Sequence, residues 1–428
     1  MADPIHDVRP QTWVAIDIAK QFHAVLIETS QGRRQRFKMA STACEHDRLI
    51  ALLSSLPQPC RIAFEPTGNF HRTLAWRLLA AGFDVVTVST VAAARYREAR
   101  FNSWDKNDPK DAQVILEMLK QGLTQFYHEP LLTGCHDLQE LSKTYHQVAL
   151  ARKRLADTLL NHYLPLYFPE MARYWEATRA EWFIAFLQRF PTPGAILTLN
   201  ESEFVQAAGP LLGRKVNKTG KLLEMYALAQ HSSALPVLED SLAVQTFRQQ
   251  LAHMAHVAAL RRTLEQQAQV LLQDRWEFRC LSSLPGVATI LALIILAEVG
   301  DIRRFGHHRQ FLKYCGLDLA KSQSGQSKGK ERLSKRGNAR LRYAFWMAAL
   351  VAVRMTENSF RDKYERYLAS APHDADRKRM ALTAIAAKMA RVAYGLLKTR
   401  TMYQGYFEHA LPGGSTSLAL AIEATMTS

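Results

Sequence analysis

The chain has 428 residues, 48% of them hydrophobic and 22% charged. Its 55 Lys+Arg outnumber 39 Asp+Glu, giving a net charge of +16 and a pI near 9.7. Such a length supports two to three domains of about 150 residues with their own cores, and the composition excludes a disordered, collagen-like or mucin-like chain. The positive field favours a polyanionic partner, nucleic acid first, over a plain basic protein.

Five cysteines, Cys44, Cys60, Cys135, Cys280 and Cys315, form no C-x-x-C pair and are odd in number. They suit neither a disulfide framework nor a zinc site, and read as buried thiols in a reducing cytoplasm. Met1 to Pro10 has no apolar core, so no secretory signal is expected. The apolar run Val287–Leu296 ends before Glu298 and is too short to span a bilayer, so no membrane partner is expected.

In chain order, Thr12–Ile18, Phe22–Thr29 and Gln35–Ala40 read as three strands, the last two joined by a turn at Gly32. A helix at Glu45–Ser54, a strand at Arg61–Phe64, a helix from Asn69 to Ala81 closed by Gly82, and a strand at Asp84–Val88 follow. Three strands followed by alternating α and β elements is the order of an RNase H-like fold, although other α/β layer folds share such strands. From His136 the pattern turns helical: His136–His162, Glu181–Arg189, Lys221–Ala229 and Leu242–Gln273. The last is rich in Ala, Leu, Gln and Arg, and suits either a coiled-coil arm or a single packed helix. Leu284-Pro285-Gly286-Val287 opens a helix to Val299, and Phe305–Tyr314 is a short helix. Lys321–Gly337 is a polar, basic loop, followed by helices at Asn338–Arg354 and Asp376–Lys398. The residues beyond Gly413 read as a frayed tail.

Four acids stand out. Asp17 and Glu65 end strands, and Asp108 and Asp111 sit three apart at a helix start, sharing one helix face. Gathered together they would repel and need cations, and oxygen-only ligands suit Mg²⁺ or Mn²⁺. Two such ions would clamp a phosphodiester. Taken alone, the Asp108-Pro109-Lys110-Asp111 stretch reads rather as a helix cap, with Asp at the N-cap, Pro at N1 and an acid at N3. Lys321, Lys328, Lys330, Arg332, Lys335, Arg336, Arg340 and Arg342 against Glu331 give net +7 in 22 residues, enough to neutralise several phosphates. Leu284–Val287 reads either as a phosphate-binding helical hairpin or as a plain Pro-Gly turn. Gly325–Lys330 lacks P-loop spacing, so no ATP site is implied. Tyr96, Arg95, Arg97, Arg100 and Trp104 suit either nucleic-acid stacking or a surface helix.

These motifs resemble the transposases and site-specific DNA recombinases of the insertion-sequence 110 family. The matching residues are Ala15-Ile16-Asp17-Ile18-Ala19-Lys20, Glu65-Pro66-Thr67-Gly68 and Asn107-Asp108-Pro109-Lys110-Asp111-Ala112. Toward the other end they are Leu284–Val287, Glu298-Val299-Gly300-Asp301, Phe311 to Gly316, Gln323-Ser324-Gly325, Ser334-Lys335-Arg336-Gly337-Asn338 and Leu341-Arg342. The middle, about 170–275, matches weakly, and the stretch near 190–240 is longer than the family leads one to expect.

The resemblance implies an α/β RNase H-like (RuvC-like) catalytic domain over 1–135, with a DEDD tetrad falling on Asp17, Glu65, Asp108 and Asp111 as Mg²⁺ (or Mn²⁺) ligands. It implies a mainly α-helical middle arm over 136–278, an α-helical C-terminal domain over 279–400, and a tail over 401–428. Counted from Gly316-Leu317-Asp318, its nucleophilic serine falls on Ser324, which links covalently to a DNA phosphate. Partners implied are donor and target double-stranded DNA, a non-coding bridge RNA that chooses the sequence, and further copies of the chain in a tetramer (a dimer of dimers). The expected location is the bacterial cytoplasm, at the nucleoid. The same acids also suit a Holliday-junction-type nuclease using water, and a non-catalytic binder is the third reading.

Overall fold

The computed structural model describes residues 10–101, 108–176, 180–212, 217–320, 323–324, 327–328, 332–356 and 358–405. The chain divides into two compact units, Met1–His136 with Gly300–Gly306, and Asp137–Val299 with His307–Ser428.

The first unit runs β1 (Thr12–Asp17), β2 (Phe22–Thr29), β3 (Arg34–Ala40), α1 (Ala43–Ser54), β4 (Cys60–Phe64), α2 (Arg72–Ala80), β5 (Asp84–Thr87), α3 (Thr90–Phe101), α4 (Asp108–Lys120) and β6 (Gln125–Phe126). Thr42 starts α1 by accepting from the Glu45 amide, and Gly82, at φ 85°, follows α2 in the left-handed region. The sheet order is β3-β2-β1-β4-β5-β6. Strand β2 is antiparallel to β1 and β3, β4 is parallel to β1 and β5, and β6 returns antiparallel on β5. An antiparallel meander continued by two parallel strands is the RNase H-like arrangement, so the expected α/β order holds.

Alternation along the strands divides the core between the two faces of the sheet. Val14, Ile16, Val25, Ile27, Ile62 and Phe64 pack with Leu49 and Leu53 of α1 and Leu74 and Leu78 of α2. Ala15, Leu26, Ala63 and Val86 face Ala93 of α3 and Ala112, Ile115 and Leu119 of α4. Small residues in β1 and β4 let α4 approach the sheet closely.

Burial also places a titratable pair in this unit. His23 is fully buried, its Nδ1 accepts from the Ala19 amide at 3.3 Å, and its ring stacks on His46 with centroids 6.0 Å apart. Burial, then the neighbouring His46, lowers its pKa to about 4. The folded state therefore keeps His23 neutral while the unfolded chain takes up a proton near pH 6.5. The stability it contributes is complete above pH 6.5 and is lost as pH falls toward 4. At about 1.4 kcal/mol per pKa unit, roughly 2 kcal/mol should be gone at pH 5. Urea unfolding at pH 7 and pH 5 checks this: His23→Leu should show a smaller difference between the two pH values than the wild type.

The second unit is mainly helical: α5 (His136–Thr158), α6 (Leu164–Tyr167), α7 (Ala180–Arg189), α8 (Pro193–Leu197), α9 (Glu201–Ala208), α10 (Lys218–Gln230), α11 (Leu242–Leu272), α12 (Trp276–Ser282), α13 (Thr289–Val299), α14 (His308–Cys315), α15 (Ala339–Ala352), α16 (Ser359–Leu368) and α17 (Ala375–Thr399). The unit takes in both the expected middle region and the expected C-terminal region.

Helix α11 is a packed helix rather than a free coiled-coil arm. Its N-terminal half buries Phe247, Leu251 and Met254 in a core with Phe168, Phe183, Phe186, Phe190 and Phe204. Farther along, Val257 and Leu264 pack on Tyr145 and Val148 of α5. The long stretch near 190–240 is mostly helical where described, and buries Ile196, Phe204, Leu222 and Met225 in the first of these cores. Helix α17 is long and apolar enough to cross a membrane, but half of its apolar stretch is buried. It packs against α12, α14, α15 and α16 and serves as a core helix. All five cysteines are free; Cys44 is exposed, against expectation, and the other four are buried.

Candidate active site

The sheet register brings the first two acids together. Ile16 of β1 pairs with Phe64 of β4 in the last parallel step. Asp17 closes β1 and Glu65 follows β4, so they stand next in register at the C-terminal edge of neighbouring strands. By alternation they share the side of Ala15 and Ala63, on which α4 packs. Both are partly exposed.

Helix α4 begins at Asp108, whose side chain lies outside the described residues. Asp111, one turn in, is 3% exposed. Its Oδ1 lies 2.6 Å from Nη2 of Arg97, a charge contact without hydrogen-bond alignment, so this buried oxygen has no hydrogen-bond partner. The sequence offered Arg97 only as a nucleic-acid grip or as part of a surface helix, and gave no sign of its pairing with Asp111. Its neighbours on α3 are tied to α4 as well: Tyr96 donates to Glu117 at 3.2 Å and Arg100 pairs with the same carboxylate at 3.2 Å. These contacts favour the surface-helix reading of Tyr96 and Arg100 over nucleic-acid stacking. Trp104 lies outside the described residues.

The donor chemistry fits a hard divalent cation: oxygen only, with Asp111 Oδ1 buried and unsatisfied. Yet among the described residues no three His, Cys, Asp or Glu side chains gather closely enough to hold an ion. Asp17, Glu65 and Asp111 are thus not a closed site by themselves, and Arg97 supplies the positive charge at Asp111.

The expected basic loop is partly paired backbone. Strands β7 (Leu319–Ala320) and β10 (Arg332–Leu333) pair antiparallel, and so do β8 (Gln323–Ser324) and β9 (Ser327–Lys328). Ser324 stands opposite Ser327 in this second pair. Lys321, Ser322 and Lys330 lie outside the described residues, as do the side chains of Ser324, Lys328 and Arg332.

The base of this segment is clamped to the helices. The Ser334 amide donates to the Asp318 carbonyl at 2.9 Å, and its hydroxyl donates to the Asp318 carboxylate. Asn338 caps α15 by accepting from the Arg340 and Leu341 amides, while its Nδ2 donates to Glu298 at 2.6 Å. Arg340, read from the sequence as a phosphate contact, is instead engaged within the protein. Its Nη1 meets Glu298 at 2.8 Å, and its Nη2 donates to the Ser142 carbonyl at 2.9 Å. Arg342 donates from Nη1 to the Lys335 carbonyl at 3.2 Å. Lys335 and Arg336 remain exposed.

Two glycines of the matching motifs are set by close approach. A Cβ on Gly337, at φ 134°, would lie 2.5 Å from the Tyr314 carbonyl oxygen and 2.7 Å from that of Lys313. Gly337→Ala should therefore cost on the order of 3 kcal/mol through backbone strain and overpacking. Chemical denaturation measures this, and a loss below about 0.5 kcal/mol, the size of an ordinary surface change, would contradict it. Gly286, at φ 82°, faces the α15 backbone, where a Cβ would sit 2.9 Å from the Ala352 nitrogen. This favours the packing-turn reading of Leu284–Val287.

Comparison with known proteins agrees with these elements. A family model described as transposase, the DEDD type of IS110, matches residues 14–169. A second, described as the transposase IS116/IS110/IS902 family, matches residues 278–365. The two matches together take in more than half of the chain. The uncharacterized 44.8 kDa protein of insertion element IS116 from Streptomyces clavuligerus is 24% identical over 360 residues, 82% of this chain and 87% of that protein. The product assigned as transposase for the IS117 mini-circle of Streptomyces coelicolor is 25% identical over 317 residues, 70% of this chain and 74% of that one. Among solved structures, T. thermophilus RuvC in complex with a Holliday junction substrate aligns with 27% of this chain and 98% of its own at 11% identity. Its TM-score is 0.19, so the fold assignment rests on the strand order instead. With an N-terminal DEDD match over the paired strand ends and a C-terminal match over the clamped segment, the chain belongs to the IS116/IS110/IS902 family of transposases, enzymes that cut and rejoin DNA.

Proposed function

We propose that the chain is a DNA recombinase of a mobile element that works by transesterification through Ser324, with Asp17, Glu65, Asp108 and Asp111 as the metal-binding acids of the reaction. The observation that carries this reading is the juxtaposition of Asp17 and Glu65 at the ends of paired parallel strands, on the side where α4 brings Asp111. The Ser324 hydroxyl attacks a DNA phosphorus. An Oγ–P bond forms as the P–O3′ bond breaks, the serine proton is released, and the leaving 3′-oxygen takes up a proton. The phosphodiester energy is conserved in the phosphoserine link, so a 3′-hydroxyl can reverse the step and rejoin the strand without ATP. The four acids would hold a divalent cation such as Mg²⁺ or Mn²⁺, which would supply Lewis-acid stabilisation of the phosphate and the leaving oxygen. Lys335 and Arg336, which are exposed, would meet phosphates.

The net charge of +16 suits contacts to DNA and to a structured bridge RNA that selects donor and target by base pairing. A tetramer in the bacterial cytoplasm, working at the nucleoid, completes the proposal. The test is a denaturing gel of the full-length protein with labelled element-end DNA and its copurifying RNA. A slow band that protease removes supports the recombinase. Freely migrating cut strands would replace it with a nuclease using water, and intact DNA would leave only a binder.

A further inference from the structure

The second unit carries a cationic cluster outside the motifs described above. Its members come from three packed helices: Arg309 and His308 of α14, Lys363 and Arg366 of α16, and Lys388 and Arg391 of α17. Helices α14 and α16 both pack on α17. Lys363 feels the charges of Lys388, Arg391 and Arg366, and His308 feels those of His307, Arg391 and Arg309, so Arg391 joins the two groups. The His307 and His308 rings lie 4.1 Å apart.

Among the described residues, acids do not balance the charge of Lys363, Arg366, Lys388 and Arg391. Helix α14 contains none. On α16, Glu365 pairs with Arg361 at 2.8 Å, leaving Asp362 in the first turn. On α17, Asp376 pairs with Arg379. Lys363, Arg366, Lys388 and Arg391 have no carboxylate partner among the described residues. Burial first, then the repulsion of Lys388, Arg391 and Arg366, lowers the Lys363 pKa. Like charges held this way cost stability in the free protein, and a polyanion reverses the sign of that cost.

We infer that the face formed by α14, α16 and α17 is a second phosphodiester-binding surface, which grips the sugar–phosphate backbone of a nucleic acid with residues other than those of the Ser324 segment. The inference rests on the reading of this chain as a DNA recombinase, but its test needs no cleavage. The cluster meets backbone charge rather than base edges, so its contribution is sequence-independent. A DNA duplex and a folded RNA present the same chemistry, and the two probes separate them.

The experiment is fluorescence anisotropy of the full chain with a labelled DNA duplex and a labelled RNA hairpin over a salt series. The test variant is Lys363→Ala/Lys388→Ala/Arg391→Ala. A charge-matched control, Lys143→Ala/Lys153→Ala/Arg154→Ala, removes three exposed cations from α5. The log–log salt slope of the test variant should flatten by about 0.7–0.9 per lost contact, up to about 2–3 in all. Binding at moderate salt should weaken at least about tenfold, which is the size of one such contact. Loss confined to the duplex assigns the surface to DNA, and loss confined to the hairpin assigns it to RNA. Unchanged slopes with both probes, or an equal loss in the control, would overturn the inference. Melting without nucleic acid adds a fold check: relief of repulsion should hold or raise the melting temperature of the test variant, and a fall would mark the cluster as structural. A chain that binds normally here but gives no covalent DNA adduct would fail the proposed chemistry and leave this surface standing.

Discussion

Ser324→Ala is expected to eliminate both the covalent DNA adduct and recombination, a loss on the order of 10⁴-fold or more for a nucleophile with no substitute. Binding of DNA and RNA should be retained, because alanine removes one oxygen from a short polar strand. Ser324 and Ser327 are register partners in the β8–β9 pair. Ser327→Ala is therefore the most demanding control, and Ser322→Ala the second. Both should stay largely active. If the adduct survives in Ser324→Ala and vanishes in either control, the nucleophile has been assigned to the wrong serine. If no serine substitution matters while the acids stay essential, water is the nucleophile.

The acids should separate into two behaviours. Asp17 and Glu65 are partly exposed at strand ends, so Asp17→Asn and Glu65→Gln should abolish recombination with little change in melting temperature. Asp111 differs, since it is buried against Arg97, whose side chain is only 14% exposed. Asp111→Ala leaves that guanidinium buried without its counter-charge, a loss of about 3–5 kcal/mol. The variant should lose stability as well as activity. The double variant Asp111→Asn/Arg97→Gln removes both charges, so it should recover most of the stability and none of the activity. Recovered activity would show that Asp111 serves only to cap α4 and hold Arg97. Calorimetry paired with a recombination assay on the four variants distinguishes these results.

The strand ends were legible because the apolar runs Val14–Ile16 and Ile62–Phe64 mark strands that stop at Asp17 and Glu65; the side on which these acids emerge follows only from the register. The i, i+3 pair at the start of α4 was legible from its cap pattern. Arg97 was not, because nothing local distinguishes it from Arg95 or Arg100; only the packing of α3 on α4 gives it Asp111. Strand β6 is two residues long and has no period to read. The segment carrying Ser324 reads as a loop for the same reason, its strands being two residues each and rich in Ser and Lys. Arg340 looked like a phosphate contact because charge density does not reveal a partner such as Glu298, far away in sequence. Helix α11 looked like an arm because helical periodicity identifies an apolar stripe but not what covers it. The aromatic core that covers it is assembled from α6 through α10 and their connections, each too short to announce a fold alone.

Mass spectrometry of the trapped adduct tests the central claim most directly. Trypsin cuts after Lys321 and Lys328, releasing Ser322–Lys328 with all three serines on one peptide. After nuclease trimming of the DNA, fragmentation of that peptide should place a phosphonucleotide on Ser324, and the matching DNA strand should end in a free 3′-hydroxyl. An unmodified peptide from DNA that has nevertheless been cut, or a modification on Ser322 or Ser327, would contradict the account.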